Sequence, residues 1–367
     1  MVKSQKIDRV LLFTVLALLI FGLVMISSAG IAYSTSRFDS PYFFFKKQLF
    51  GIAVGLILLL FFQKVDYRFW KKISLPFFIA SIFFLILVFV EGVGSKIYGA
   101  SRWLQLGPLS FQPSEMLKLS LIIYLAAWLE SRGERIRDFF EGLIPFVSIM
   151  AVISFLLLKQ PDMGTLGVLI LVAISVFFVS GSRMSHIFLM MGGGFAALFA
   201  LIKLESYRMD RLMVFLHPET DPKGIGYQIN QALLAIGSGG IFGVGLGHSL
   251  QKFNYLPEPV GDSIFAIIGE ELGLVGAIFL LGLFLLFILR GLKIARNAPD
   301  TFSKLLTVGI VSWIFFQAFI NMAAISGVIP LTGVPLPFIS YGGTSVAFLL
   351  TGVGILLNIS KQTNKKI

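Results

Sequence analysis

The sequence predicts an all-α, polytopic membrane protein of about ten transmembrane helices with one long extracytoplasmic loop between helices seven and eight. Three observations predict it. Of 367 residues, 56% are hydrophobic and only 13% charged, against about 25% charged in an ordinary soluble domain. Mean hydropathy is +0.89, an apolar surplus that only lipid can solvate. Stretches able to cross roughly 30 Å of hydrocarbon also recur along the whole chain.

In order, these stretches fall near 10–33, 48–63, 74–94, 115–130, 143–158, 163–181, 184–203, 263–289, 304–328 and 342–359. The first ends in the small residues Ser27-Ser28-Ala29-Gly30, as a signal peptide does, but it is longer than a signal core and nine more spans follow. It is therefore helix one. The fourth carries Glu115 and Lys118, which lowers its hydropathy. No repeat, low-complexity tract or soluble domain interrupts the pattern, so residues 1–367 are expected to form a single membrane domain.

Charge sets the orientation. With the N-terminus cytoplasmic, the inside segments hold eighteen Lys and Arg, and the four short outside loops hold six: Arg37, Lys46, Lys47, Lys96, Arg102 and Lys159. Short loops obey the positive-inside rule, so both termini are expected in the cytoplasm. The net charge of +11 is absorbed by this asymmetry and implies no nucleic-acid partner. The absence of Cys excludes disulfides, thiolate metal sites and a Cys nucleophile.

The inside loops are short and basic, whereas the outside loops carry Pro, Gly, acids and polar clusters. Four stand out: 102–115, 159–162, the long connection 204–262 ending in Pro257-Glu258-Pro259-Val260-Gly261-Asp262, and 335–343. Backbone punctuated by Pro and Gly at membrane depth must be buried in protein or line a wet cavity. A shared outward cleft would account for all four. Taken singly, each has a plainer reading: Ser114 and Asp162 are good helix N-caps, and Pro113 suits a first helical turn.

Glu115 and Lys118 share a helix face, either as a structural pair or presenting a cation to an anionic substrate. Glu270 and Glu271 lie about 12–13 Å along helix eight from Asp262, and packing hydrogen bonds are the expected role. His186, His217 and His248 lack metal-ligand spacing. No GxxxxGK[ST] loop occurs, and the glycines at 237–247 read as flexible turns of the outside loop.

Several segments together resemble the SEDS family, the polytopic bacterial proteins that include FtsW, RodA and SpoVE. They are Arg102-Trp103, Phe111-Gln112-Pro113-Ser114-Glu115 with Lys118, Gln160-Pro161-Asp162-Met163-Gly164-Thr165, Tyr207-Arg208 with Arg211, and Gly226-Tyr227-Gln228. Further on come 235–240, Tyr255-Leu256-Pro257-Glu258, 269–273 and Pro337-Phe338-Ile339-Ser340-Tyr341-Gly342-Gly343. Residues 251–258 look closer to the FtsW and SpoVE branch.

The resemblance implies a peptidoglycan glycosyltransferase of the bacterial cytoplasmic membrane that polymerises lipid II on its outer face. It also implies a class B penicillin-binding protein as partner, among other divisome or elongasome proteins. The family's essential acid falls on Asp262. A His and a Thr often precede that acid in the family, where this chain has Val260-Gly261. As general base, Asp262 would contribute a factor of about 10²–10⁴. Arg102, Lys118, Arg208 and Arg211 are candidates to hold the departing pyrophosphate, helped by a divalent cation such as Mg or Mn. Glu115, Asp162, Glu258, Ser340 and Tyr341 complete the expected substrate site. The rival functions are a lipid II flippase or transporter, for which Glu270 and Glu271 would be the signature, and a non-catalytic scaffold for wall assembly.

The orientation makes a direct prediction. A single Cys introduced as Pro259→Cys should react with a membrane-impermeant thiol reagent in intact cells, and Arg135→Cys should not. Equal labelling, or labelling at 135 alone, overturns the assignment.

Overall fold

A computed structural model describes residues 6–97, 100–106, 109–204, 206–217, 221, 224–253 and 255–363. Asp8 starts the first helix by accepting the Leu11 N–H at 2.9 Å, and α1 (Arg9–Phe38) follows. At 1.5 Å per residue its 30 residues reach about 45 Å, more than the hydrocarbon thickness. Next come α2 (Phe43–Phe62), the short α3 (Arg68–Lys72), α4 (Ser74–Leu87), α5 (Pro113–Arg132), α6 (Ile144–Lys159) with a π turn before it, α7 (Met163–Val179) and α8 (Met184–Leu204). The chain continues through α9 (Ser206–Leu216), α10 (Ile225–Gly239), α11 (Ile264–Arg296), α12 (Thr301–Ile325) and α13 (Gly343–Thr363).

Each of the ten apolar stretches coincides with a helix. Among the described residues, six helices are long and apolar enough to cross a membrane: α1, α2, α6 with its π turn, α11, α12 and α13. Helices α4, α7 and α8 are shorter apolar helices, and α5 carries the Glu115–Lys118 pair.

The bundle has a centre and a rim. Most of α12 and α13 is buried (72% and 78% of their most apolar windows), as is nearly every residue of the first four turns of α5. The rim helices α1, α2, α4, α6, α8 and α11 instead expose Phe13, Ile57, Phe83, Phe155, Phe195 and Ile278. Lipid tails are as apolar as Leu, so what holds the centre is close packing and interhelical hydrogen bonding rather than water exclusion.

Two features depart from the sequence reading. Between α4 and α5 the chain forms a three-stranded antiparallel meander, β1 (Gly94–Ile97), β2 (Ala100–Leu106) and β3 (Leu109–Phe111). Leu104 pairs with Gly94 on one side and Phe111 on the other. Strands this short carry too little alternation to stand out beside ten apolar helices.

The long connection 204–262 is also more structured than a loop. It holds α9 and α10, and its glycine-rich stretch packs into the bundle against a break in α11. At Gly273 the backbone is non-helical (φ 63°, ψ −161°), a region that essentially only glycine adopts. Four hydrogen bonds settle the exposed backbone there. Val244 and Gly245 donate to Glu270 O and Glu271 O at 3.0 Å each, while Leu274 and Val275 donate to Gly240 O and Ile241 O at 3.0 and 3.1 Å. The glycines read as loose turns are therefore structural partners of a broken helix, a geometry tolerated at membrane depth only because each backbone group is repaid.

Beside the break, the carboxylates of Glu270 and Glu271 are buried and bonded. Glu271 accepts from Ser28 Oγ at 2.7 Å and pairs with Lys252 at 2.9 Å, and Glu270 accepts from Ser249 Oγ and from Leu250 N at 2.9 Å. Packing hydrogen bonds are what these acids make.

A methyl group at Gly273 would meet the backbone of Gly243 and Ile241. Gly273→Ala should therefore cost about 2 kcal/mol or more, read as a lower unfolding midpoint in detergent. Gly237→Ala, with nothing within 4 Å of the new methyl, should stay within about 0.5 kcal/mol of the parent. Equal midpoints for the two variants would refute the role given to the break.

Candidate functional site

The site is built around an irregular, largely buried strap, residues 326–342, that joins α12 to α13. Irregular backbone inside a membrane bundle leaves carbonyls and amides that no helix satisfies, and buried groups of this kind must find partners. Amide side chains supply them. Trp313, Gln317 and Asn321 lie four residues apart on one face of α12. Gln317 donates to Pro335 O at 2.9 Å, and Asn321 to Val334 O at 2.8 Å. From α2, Gln48 donates to Ser340 O at 3.3 Å and accepts from Gly342 N at 3.0 Å. Ser340 Oγ accepts from Leu336 N at 2.8 Å. The strap lies so close to α1 that a methyl group on Gly22 would stand 2.5 Å from Phe338 O.

The same groups tie the strap to the turn before α11. Asn321 donates its other proton to Asp262 O at 2.8 Å. Ser340 Oγ donates to Gly261 O at 2.7 Å, and Tyr341 N to Val260 O at 2.8 Å. Thus Ser340 and Tyr341, expected to bind substrate, hold the Asp262 turn in place.

Asp262 itself is not spent on the helix. Ser263 occupies the N-cap position of α11 and makes no side-chain cap bond. Besides its own backbone N–H, the Asp262 carboxylate has Gln228 Nε2 and Ser263 Oγ near it, both at 3.5 Å and at the outer limit of a hydrogen bond. Its other oxygen faces Gly333, where a Cβ would lie 3.9 Å away, so the absence of a side chain there leaves room beside the acid. Part of its surface remains open, yet protein surrounds most of the carboxyl group. That burial, and then the charge of Glu258, push its pKa up from the ordinary 3.8 to about 6.

Glu258 holds a positive φ of 49°, an uncommon conformation for a residue with a side chain. Its carbonyl accepts from Gly261 N at 2.9 Å and Ser263 N at 3.3 Å, and its carboxylate accepts from Tyr33 Oη at 2.9 Å. The turn that aims Asp262 is thus fixed at both ends.

The remaining expected residues take the following partners. Arg211 reaches the start of the strap, donating to Leu331 O at 3.1 Å. Arg102, from β2, donates to Gln160 O at 3.1 Å and to Pro161 O, so it braces the turn between α6 and α7. Asp162 accepts from Thr165 N at 3.3 Å as the N-cap of α7, which is the plainer of its two readings. Two residues on, Gly164 abuts Thr332 and Val334 of the strap.

Glu115 and Lys118 form a 2.7 Å ion pair at 2% exposure. Lys118 also donates to Gln317 at 2.9 Å and lies 5.3 Å from the Trp313 ring centre. The pair is a buried strut between α5 and α12 rather than a cation on an open wall. Arg208 lies on α9, and its side chain falls outside the described residues.

Four buried polar atoms around the strap make no hydrogen bond among the described residues: Ser114 Oγ, Glu115 Oε2, Asn321 Oδ1 and Thr332 Oγ1. Groups of this kind are few in folded proteins. Gln48, Gln228, Gln317 and Asn321 are not among the residues that the sequence places in the site. Their signal was available: amides placed within or beside apolar spans are expensive unless they bond across helices.

Comparison with known proteins agrees with this architecture. A family model described as "Cell cycle protein", covering FtsW, RodA and SpoVE, matches residues 9–365. The chain belongs to this family. It is 40% identical to stage V sporulation protein E of Bacillus subtilis, covering 98% of this chain and 99% of that one. It is 42% identical to a probable peptidoglycan glycosyltransferase FtsW of Trichlorobacter lovleyi, over 98% and 94%.

Among solved structures, the rod shape determining protein RodA of Thermus thermophilus superposes with a TM-score of 0.71 at 30% identity, over 97% of both chains. A chain from a study of how a peptidoglycan synthase complex coordinates polymerization and crosslinking superposes at 0.80 and 29%, over 98% and 99%. The higher identities fall on the FtsW and SpoVE side of the family, as residues 251–258 suggested.

The raised Asp262 carboxyl can be measured directly. Its protonated C=O infrared band, identified by its loss in Asp262→Asn, should titrate with a midpoint near pH 6. Because the folded value lies above the unfolded one, ionising Asp262 costs stability as pH rises from about 4 to 6. Glu258→Gln removes a charge that disfavours the carboxylate and should move the midpoint to lower pH. A midpoint near 4 in the parent, or an upward move in the variant, contradicts the geometry.

Proposed function

We propose that the chain is a peptidoglycan glycosyltransferase that extends glycan strands from lipid II at the outer face of the bacterial cytoplasmic membrane. The observation that carries this reading is Asp262: a carboxylate held by its backbone, unspent by its side chain, and poised just below neutral pH beside open space. A general base is most effective when its pKa lies near the working pH.

In the reaction, the acceptor sugar's 4-hydroxyl gives its proton to the Asp262 carboxylate as its oxygen bonds to the donor's anomeric carbon. The bond from that carbon to the pyrophosphate oxygen breaks, and polyprenyl pyrophosphate leaves with its electron pair. One displacement inverts the anomeric configuration. Below about pH 6 the base is protonated, so the rate should fall about tenfold per pH unit.

Positive charge must meet the leaving pyrophosphate. Arg102 is suited to this, because two of the five donors of a guanidinium hold the turn between α6 and α7 and others project from the same group. Arg211 serves at the start of the strap. Lys118, buried on Glu115 and Gln317, acts through the strap it supports.

Among the described residues no cluster of three or more His, Cys, Asp or Glu side chains could hold a metal ion. A divalent cation in this reaction would be held by one or two carboxylates together with the substrate's own phosphate oxygens rather than by such a cluster. The exposed apolar faces of the rim helices offer surface for polyprenyl chains. The relative taken from a synthase complex that also crosslinks supports a transpeptidase partner, here a class B penicillin-binding protein. A carrier reading loses its main feature, because Glu270 and Glu271 are both bonded around the helix break.

Asp262→Ala and Asp262→Asn should each reduce polymerisation of labelled lipid II, read as glycan chains on a gel, by about 100-fold or more. Both should stay folded and bind the partner. Asn preserves size but cannot take the proton. A polymerising Asn variant would overturn the general-base role, and normal polymerisation by both variants would favour a carrier.

A further inference from the structure

The end of the bundle away from Asp262 holds a second built feature. There the start of α1, the last turns of α11 and the end of α13 enclose a cavity of about 610 Å³, within the roughly 300–1,000 Å³ of small-ligand sites. Its walls carry five cations, Lys6, Arg9, Arg290, Lys293 and Arg296, against one acid, Asp8. That acid is already committed: it caps α1 through Leu11 N, and its carboxylate pairs with Arg290. The cavity therefore carries a surplus of positive charge.

A second space of about 400 Å³ adjoins it and shares Lys293, Arg296 and Asn297, while its other walls are Leu289 and Leu292. Positions 289, 292, 293 and 296 follow i, i+3, i+4, i+7 spacing and so form one stripe of α11. Toward the middle of the helix that side continues into exposed Leu285. Charge thus gives way to lipid-facing leucine along a single helix face.

We infer that this groove is a binding site for an anionic phospholipid, its phosphate among Arg9, Lys293 and Arg296 and an acyl chain along Leu292, Leu289 and Leu285. A soluble phosphate would need the cations but not the apolar wall. Orientation by the positive-inside rule would need the charge but not a cavity. Basic pockets between membrane helices bind anionic headgroups by this combination.

The test uses the full-length protein in detergent, titrated with dioleoyl phosphatidylglycerol, dioleoyl phosphatidylcholine or inorganic phosphate, with retained lipid read by native mass spectrometry. Phosphatidylglycerol should be retained and phosphatidylcholine should not. The double variant Lys293→Gln/Arg296→Gln should weaken retention about tenfold or more. Lys304→Gln, an exposed cation at the same end of the bundle but off the cavity wall, should leave it unchanged. Both altered side chains are exposed, and the unfolding midpoint without lipid should match the parent. Equal retention of the two lipids, equal loss in Lys304→Gln, or displacement of the lipid by millimolar inorganic phosphate would each overturn the site.

Discussion

Everything at the candidate site depends on how a buried, irregular strand of backbone is satisfied. Residues 326–342 run through the bundle with only isolated turns near 326–329 and 336–340, and each carbonyl or amide left unpaired there would cost several kcal/mol. Gln48, Gln317 and Asn321 remove that cost, and in doing so they choose the strap's position. Because Asn321 bonds both Val334 O and Asp262 O, one side chain places the strap and the acid relative to each other. Because Gln317 bonds both Pro335 O and Lys118, the same placement extends to the ion pair on α5. The polar interior is a chain of shared partners, and the acid's aim follows from it.

The break at Gly273 solves the same problem differently. There two backbone segments exchange hydrogen bonds directly, and the charged cluster of Glu270, Glu271, Lys252 and Ser28 locks the exchange from the side. A buried ion pair gains little over apolar packing by itself, since desolvation offsets the attraction, but removing one partner is costly. Such a cluster acts as a specific fastener: it fixes which residues of the 240–253 stretch meet the break. The stretch is in turn continuous with the turn carrying Glu258 and Asp262. The strap bonds the Asp262 turn directly, and the break anchors the stretch that leads to it.

Within that frame Asp262 is the exception. Asp162 caps a helix, Asp8 caps another and pairs with Arg290, Glu115 pairs with Lys118, and Glu271 pairs with Lys252. Asp262 alone among these acids has neither a cation nor a cap bond among its described contacts, and both burial and Glu258 raise its pKa. Perturbed titration is a marker of chemistry only when geometry agrees. At Asp262 the geometry is consistent with the proposed role, since Gly333 leaves space at Oδ2 and the N-cap position of α11 falls on Ser263.

The sequence by itself determined where the apolar helices lie, the two chemically distinct ends, the acid at the start of α11 and the resemblance that names the reaction. Each of these is local: hydropathy, charge bias and motif order are legible within a few tens of residues. Tertiary structure decided which polar groups are spent and which are available. Asp162 and the Glu115–Lys118 pair each had a structural and a functional reading along the chain, and only the folded protein shows the partners they take, Thr165, Gln317 and Trp313. The strap's own partners lie far away in sequence, as with Gln48 and Ser340 across 292 positions. The glycines at 243 and 245 read as loose turns because their acceptors, Glu270 O and Glu271 O, exist only where α11 breaks. A buried hydrogen bond is a property of two segments brought together, so no single segment carries the signal for it.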